Sequence, residues 1–281
     1  MLIDSHSHLD EFSTVELGGV LIRAQVAGVG AIVLAGTTLG SSEECVSLAN
    51  KHPMLLAGVG IHPMNVTDFI DDTIYRQLRD KAISSPRVVA ISETGLDFDK
   101  GAPDLSMQYQ AFREQIRLAI ELHLPVIFHS REIPGQPDLH NEVLKVLRQE
   151  QGWRVGGAMH YFQGDERAAE VCIELGMYIS LAKPLLRQPE LQEIATSLPM
   201  GNIVLETDTY PQPFKAKREN WTEPKDVRQV AMKLADLKGI TLEEVETTTT
   251  ANFLAMCLQG GAPGRSEVLD EVLLNDLPKP Q

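Results

Sequence analysis

Six side chains in this sequence have the types and spacing to hold metal ions. His6 and His8 flank Ser7 at the end of a short apolar run. Residues two apart on a strand face the same side, so both imidazoles reach one ion. Glu93 follows Val88–Ile91. A carboxylate at the mouth of a buried strand is costly unless it is paired or binds a cation, and its two oxygens can serve two ions. His129 ends the run Pro125–Phe128, and His160 ends Val155–Met159. One histidine at such a place is more often a satisfied core residue; two at equivalent ends of consecutive strands point to ligation. Asp208 follows Ile203–Thr207. Four imidazoles and two carboxylates, one of them bridging, fit two divalent ions better than one. Mixed nitrogen and oxygen ligation suits Zn, Mn, Ni or Co, and Mg with several waters. Two such ions about 4 Å apart clamp the attacking and leaving oxygens of an ester and generate hydroxide near neutral pH.

Other residues bear on substrate. Arg131 lies two positions after His129 and can fork onto a phosphate. His62, in Gly60-Ile61-His62-Pro63, can donate to a phosphate or leaving group, and reads equally as a loop histidine fixed by the adjacent proline. Tyr161 is placed to stack on a base, whereas Phe162 suits packing under its loop equally well. Glu206, two before Asp208, reads as support beneath the ligands. Asp97 and Asp99 read as helix-capping or salt-bridging acids. His52 and His123 stand at predicted helix C-termini, where partial positive charge is favourable. His140 lies in the insertion and can reach the rim of the site, though nothing requires it to.

The elements that must position these groups alternate along the chain. Leu2–Asp4, Ala31–Ala35, Leu55–Gly60, Val88–Ile91, Val126–Phe128, Val155–Met159, Tyr178–Leu181 and Ile203–Leu205 are short apolar runs bounded by Gly, Pro or polar residues. Between them lie helical spacings such as Leu17-Val20-Leu21-Ala24 and Phe112-Ile116-Ala119-Ile120. Eight strand–helix units predict an α/β fold, a single-domain (β/α)8 TIM barrel. The ligands then come from the C-terminal ends of strands one, four, five, six and eight, where barrel active sites are built. The barrel is expected over residues 1–260, with a tail, 261–281, that forms a short helix or is disordered. An insertion at 133–138 and a polar loop from Tyr210 to Glu223 sit on the catalytic face.

Composition limits the function class. The chain has 281 residues, three dispersed cysteines and a net charge of −14. Dispersed cysteines argue for a reducing compartment and against disulfides, and no CxxC pair offers a zinc ribbon. No signal peptide and no apolar run of membrane-spanning length is evident, so a cytoplasmic location is expected. The acidic balance opposes tight non-specific binding of duplex DNA, although bound cations can invert the field locally.

These residues together resemble the TatD-type metal-dependent hydrolases of the amidohydrolase superfamily. The signatures occur in order over nearly the whole chain: Ile3-Asp4-Ser5-His6-Ser7-His8-Leu9, Gly58-Val59-Gly60-Ile61-His62-Pro63, Glu93-Thr94-Gly95-Leu96-Asp97, Pro125-Val126-Ile127-Phe128-His129-Ser130-Arg131-Glu132 and Leu205-Glu206-Thr207-Asp208. Arg113 also fits the family's helix before the fifth strand. The resemblance implies that His6, His8, Glu93 and Asp208 hold one ion and that Glu93, His129 and His160 hold the other. It implies that Asp208 takes a proton from the attacking water. It also implies a DNase-type phosphodiesterase, with a deacylase of D-aminoacyl-tRNA as the alternative in the same family. The chain departs from the family pattern at His160-Tyr161-Phe162-Gln163-Gly164, at Ala182-Lys183-Pro184 and at Thr222-Glu223-Pro224. These departures bear on substrate, since no ligand is lost. The expected partner is a nucleic acid or other phosphodiester substrate, with no membrane and no stable protein partner, the chain being a monomer. A catalytically silent binding scaffold is disfavoured by the complete ligand set.

Overall fold

The structure is a computed structural model that describes residues 1–132 and 139–274. The 133–138 insertion and the last seven residues lie outside the described residues. Eight parallel strands lie in the order of the chain: β1 (Leu2–Ser7), β2 (Val29–Leu34), β3 (Leu55–Val59), β4 (Val88–Asp97), β5 (Val126–Arg131), β6 (Gly157–Met159), β7 (Met177–Leu181) and β8 (Ile203–Leu205). Each pairs with the next. The ring closes where β8 returns to β1: Ser7 bridges to Thr209, Asp208 N–H donates to the His6 carbonyl at 3.0 Å, and His8 N–H donates to the Thr209 carbonyl. Asp4 tightens the same seam by accepting the Thr207 N–H at 2.9 Å.

Between and after the strands lie α1 (Thr14–Val26), α2 (Leu39–Lys51), α3 (Asp72–Ile83), α4 (Leu105–Leu122), α5 (Leu139–Gln149), α6 (Glu166–Glu174), α7 (Pro189–Ser197), α8 (Val227–Lys238), α9 (Leu242–Leu258) and α10 (Arg265–Leu274). Local chemistry sets their starts. Ser13, Thr38, Asp71, Asp104, Asp165 and Thr241 each cap a helix by accepting from a backbone N–H of its first turn. Pro189 opens α7, where its missing N–H costs nothing, and α8 stops at Gly239 with φ 65°.

Strand alternation divides the apolar side chains into two clusters. Leu2, Ile32, Leu34, Leu55, Val88 and Val126 share one core with the helices. Ile3, Val33, Leu56, Val89, Ile127 and Val204 belong to a second, the barrel interior, together with Phe253, Met256 and Cys257 of α9 and Val268, Leu269 and Val272 of α10. The last two helices therefore plug the end of the barrel that the apolar halves of the strands define. Polar strand termini at the opposite end are left to form a site.

Candidate metal centre

Glu93 lies at the middle of the cluster, and its two carboxylate oxygens divide the histidines. Oε2 lies 3.3 Å from His6 Nε2 and 3.4 Å from His8 Nε2. Oε1 lies 3.1 Å from His129 Nδ1, 2.9 Å from His160 Nε2 and 3.3 Å from His62 Nε2. Asp208 Oδ1 sits 3.3 Å from His8 Nε2, on the Oε2 side. All six residues named from the sequence, and His62, thus meet at one place. His6, Glu93 and His160 are buried; His8, His129 and Asp208 open partly onto a cleft of about 860 Å³.

The backbone reaches this arrangement through close approaches. Gly95, with φ 137°, faces the His129 carbonyl, which a Cβ would meet at 2.0 Å. Gly60 lies where a Cβ would come within 2.9 Å of the Glu93 nitrogen. Asp208 and Tyr161 adopt left-handed backbone, at φ 51° and 47°. That conformation is uncommon outside glycine and concentrates where a site over-determines the chain.

The partner of each outer ring nitrogen fixes which nitrogen faces the cluster in the neutral imidazole. His8 Nδ1 sits 3.2 Å from the Ala35 carbonyl, an acceptor, so Nδ1 carries the hydrogen and Nε2 offers a lone pair inward. His160 Nδ1 donates to Glu206 at 3.2 Å, and His129 Nε2 donates to Asp97 at 2.9 Å, with the same result. Glu206 is itself pinned by the Tyr161 N–H at 2.7 Å and by the Ser180 hydroxyl. His62 is reversed. Its Nδ1 accepts the Met64 N–H at 3.1 Å, so the nitrogen aimed at Glu93 carries the hydrogen. Geometry therefore separates three lone-pair donors from one hydrogen-bond donor. Among the described residues His6 Nδ1 is buried without a partner, while its ring stacks on His160 at 4.0 Å.

With protein charges alone, the carboxylates draw protons onto the imidazoles. For His8, burial works against the charged form, but the Asp208 hydrogen bond and the Glu93 charge prevail and raise it to about 9. His129 and His160 are raised likewise against their burial, by Asp97 and Glu93 and by Glu93 and Glu206. Burial dominates at His6 and His62 and lowers both. Burial would raise Glu93, yet the surrounding imidazoles hold it well below the carboxylate range, and His8 holds Asp208 at about 2. A concentrated negative charge is thus balanced here by imidazolium protons, a role a divalent cation fills better. Two ligand-like sets, His6–His8–Glu93 and Glu93–His129–His160, place their donor atoms within 4.8 Å of one another. A third, His6–His160–Asp208, shares members with both, and a fourth, His62–Asp97–His129, lies beside the second. The residues present fit divalent metal.

Arg131 reaches the cleft wall, its side chain 58 % exposed and 3.5 Å from Asp99. Tyr161 lines the cleft, whereas Phe162 is buried beneath it. His140 lines the rim, with Nδ1 2.7 Å from Ser130 Oγ. Arg113, on α4, pairs with Glu150. Asp97 was expected to be a bland capping or salt-bridging acid, and the structure places it in the centre against His129. The signal for it was present: Glu93, Gly95 and Asp97 keep period-two spacing, so on a strand that continues to Asp97 they share a face. Lys183, also in the cleft wall, carried no such signal.

The chain is similar over most of its length to known proteins. The family profile described as TatD related DNase matches residues 3–257. The uncharacterized metal-dependent hydrolase YabD of Bacillus subtilis is 33% identical over 262 residues, covering 90% of this chain and 97% of its own length. The 3'-5' ssDNA/RNA exonuclease TatD of Cronobacter turicensis is 32% identical over 253 residues, covering 87% of this chain and 92% of its own. Among solved structures, the TatD homologue YJJV of Escherichia coli K12 superposes with a TM-score of 0.80 at 28% identity, over 91% of this chain and 97% of that one.

Proposed function

This chain belongs to the family of TatD related DNases, and from that membership and the geometry of the centre we propose a two-metal hydrolase acting on phosphodiesters of nucleic acid. The observation that carries the reading is the division of Glu93, with Oε2 toward His6 and His8 and Oε1 toward His129 and His160. On this reading His6, His8, Glu93 and Asp208 hold one ion, and Glu93, His129 and His160 the other. Zn, Mn, Mg, Ni and Co all suit such mixed donors. When bound, the pair supplies Lewis-acid polarisation of the phosphoryl group and a water acidic enough to attack near neutral pH.

The chain's own residues do the rest. Asp208, partly open to the cleft, takes the proton of the attacking water. His62 presents its Nε2–H to the reacting phosphate or the leaving oxygen. Arg131 extends its exposed guanidinium from β5 to fork onto a phosphate oxygen. Asp97 and Glu206 keep His129 and His160 in the ligating tautomer.

Three free buried cysteines suit a reducing cytoplasm. Among the described residues no helix is long and apolar enough to cross a membrane. We read the protein as a cytoplasmic monomer whose partner is its substrate. The experiment is a metal-resolved screen of purified protein, with Mg, Mn and Zn, on single-stranded DNA, a chromogenic phosphodiester and aminoacyl-tRNA. Turnover of the first two but not the third, abolished by Asp208→Asn, is expected. Turnover of the aminoacyl ester alone would overturn the phosphodiester assignment.

A further inference from the structure

Away from the metals, the loops after β7 and β8 carry an unusual charge arrangement for so acidic a chain. Between residues 182 and 226 there are six cationic side chains. Four meet carboxylates: Lys183 with Asp226 at 3.7 Å, Lys217 with Glu219 at 3.7 Å, Arg218 with Glu223 at 2.8 Å and Lys225 with Glu223 at 3.6 Å. Arg187 and Lys215 have no carboxylate partner among the described residues. These two, with Lys183, line a single open groove of about 550 Å³. Burial and the charges of Lys183 and Arg187 lower the Lys215 amine, so the cations feel one another. An anion between them relieves that repulsion.

The groove adjoins the candidate metal cleft, with Lys183 lining both. Its ammonium is held by the Thr222 hydroxyl at 3.1 Å as well as by Asp226. Two of the segments that depart from the family pattern, Ala182-Lys183-Pro184 and Thr222-Glu223-Pro224, are therefore in contact here. Lys215 Nζ is anchored on the Asn220 carbonyl at 3.0 Å. Aromatic rings accompany the cations: Tyr161 and Tyr210 line the cleft side, and Phe214, directly before Lys215, is 71 % exposed. Cations that track phosphates, interleaved with aromatic faces, are how proteins hold single-stranded nucleic acid without reading its sequence.

Building on the function proposed above, we propose that Arg187, Lys215 and Lys183 form a polyanion subsite that binds a backbone phosphate of a single-stranded nucleic acid beyond the one being cleaved. The groove then sets a preference for chains over isolated diesters and leaves the chemistry at the metals unchanged. Three cations against the carboxylates of Asp226 and Glu219 leave this groove a local excess of positive charge in a protein of net charge −14, which favours a polyanion there.

The test combines binding and turnover. A fluorescent phosphorothioate hexanucleotide, which resists cleavage, is titrated by anisotropy into wild type, Arg187→Ala, Lys215→Ala and the double variant, across a range of salt. The double variant should bind about tenfold or more weakly. Its log Kd against log salt slope should fall by roughly 0.7, the counterion release of the one phosphate that the groove neutralises. Arg187→Lys with Lys215→Arg should restore both. The same variants should hydrolyse a chromogenic phosphodiester at the wild-type rate. Oligonucleotide affinity and salt slope unchanged in the double variant would overturn the subsite, whether or not the small diester is cleaved. Wild type failing on every phosphodiester would instead refute the function proposed for the metal centre, and the anisotropy result would still decide the groove.

Discussion

Asp97 accepts a hydrogen bond from the outer nitrogen of His129 at 2.9 Å, so a residue outside the six-membered cluster governs how one of its members faces the site. Its carboxylate is almost wholly buried, and the His129 hydrogen bond keeps it below the ordinary range despite that burial. Such backing of a ligating imidazole is commonly worth about 10–100-fold in metal affinity. Asp97→Asn should weaken metal binding on the His129–His160 side by about that factor, with excess metal restoring kcat. Calorimetric titration against wild type checks this; an unchanged dissociation constant would contradict the role.

His62 behaves differently, because its inward nitrogen carries hydrogen. His62→Ala should keep the wild-type metal content while kcat/KM falls by about 10²-fold or more, the contribution of a positioned proton donor. Loss of metal in this variant would make His62 a ligand instead.

The approach of β4 to β5 at Gly95 gives a stability prediction. A methyl group there meets the His129 carbonyl at 2.0 Å on a backbone at φ 137°. Gly95→Ala should cost about 3 kcal/mol or more, from strain at a glycine-only conformation plus displacement of β5. That corresponds to a fall in Tm on the order of 5–10 °C. Displacing β5 also moves His129, so metal affinity should fall together with Tm.

Glu223 is buried under Arg23 at 2.7 Å and Arg218 at 2.8 Å. Burial would raise its pKa, but the two guanidinium groups hold it below the usual value. A depressed carboxylate stabilises the fold above its unfolded pKa, near about 4.3, and that stability is lost as pH falls through the lower folded value. Glu223→Gln should therefore lower stability by about 1–2 kcal/mol at neutral pH, discounted for the partly exposed Arg23. The difference from wild type should shrink below about pH 4. Thermal melts of both proteins from pH 3 to 8 check the sign.

The eight apolar runs located the strands because barrel strands are buried on both faces and read as near-continuous Val, Ile and Leu. The six candidate ligands were legible for a related reason: Glu93, His129 and His160 are the first strongly polar residues after such runs, and His6, His8 and Asp208 follow theirs within four positions. Reading stopped short where polarity entered a strand. The fourth apolar run ends at Ile91, yet β4 pairs with β5 as far as Asp97 and Arg131, because its polar residues face the cleft. Asp97 therefore looked like a loop acid. The sixth strand was expected to begin at Val155 but begins at Gly157, where φ 148° and the Val126 carbonyl leave no room for a Cβ. The Lys183–Thr222 contact was not readable, since it joins loops 39 positions apart whose spacing follows no period.

The division of Glu93 between two sets of histidines is open to a direct count. Metal analysis of the protein reconstituted with Zn or Mn and freed of excess by gel filtration should give two ions per chain in wild type. In Glu93→Gln, which removes the one negative charge that the two carboxylate oxygens share, the two ions should be lost together, with the circular dichroism spectrum kept. One ion per chain in wild type, or two retained in Glu93→Gln, would contradict the account.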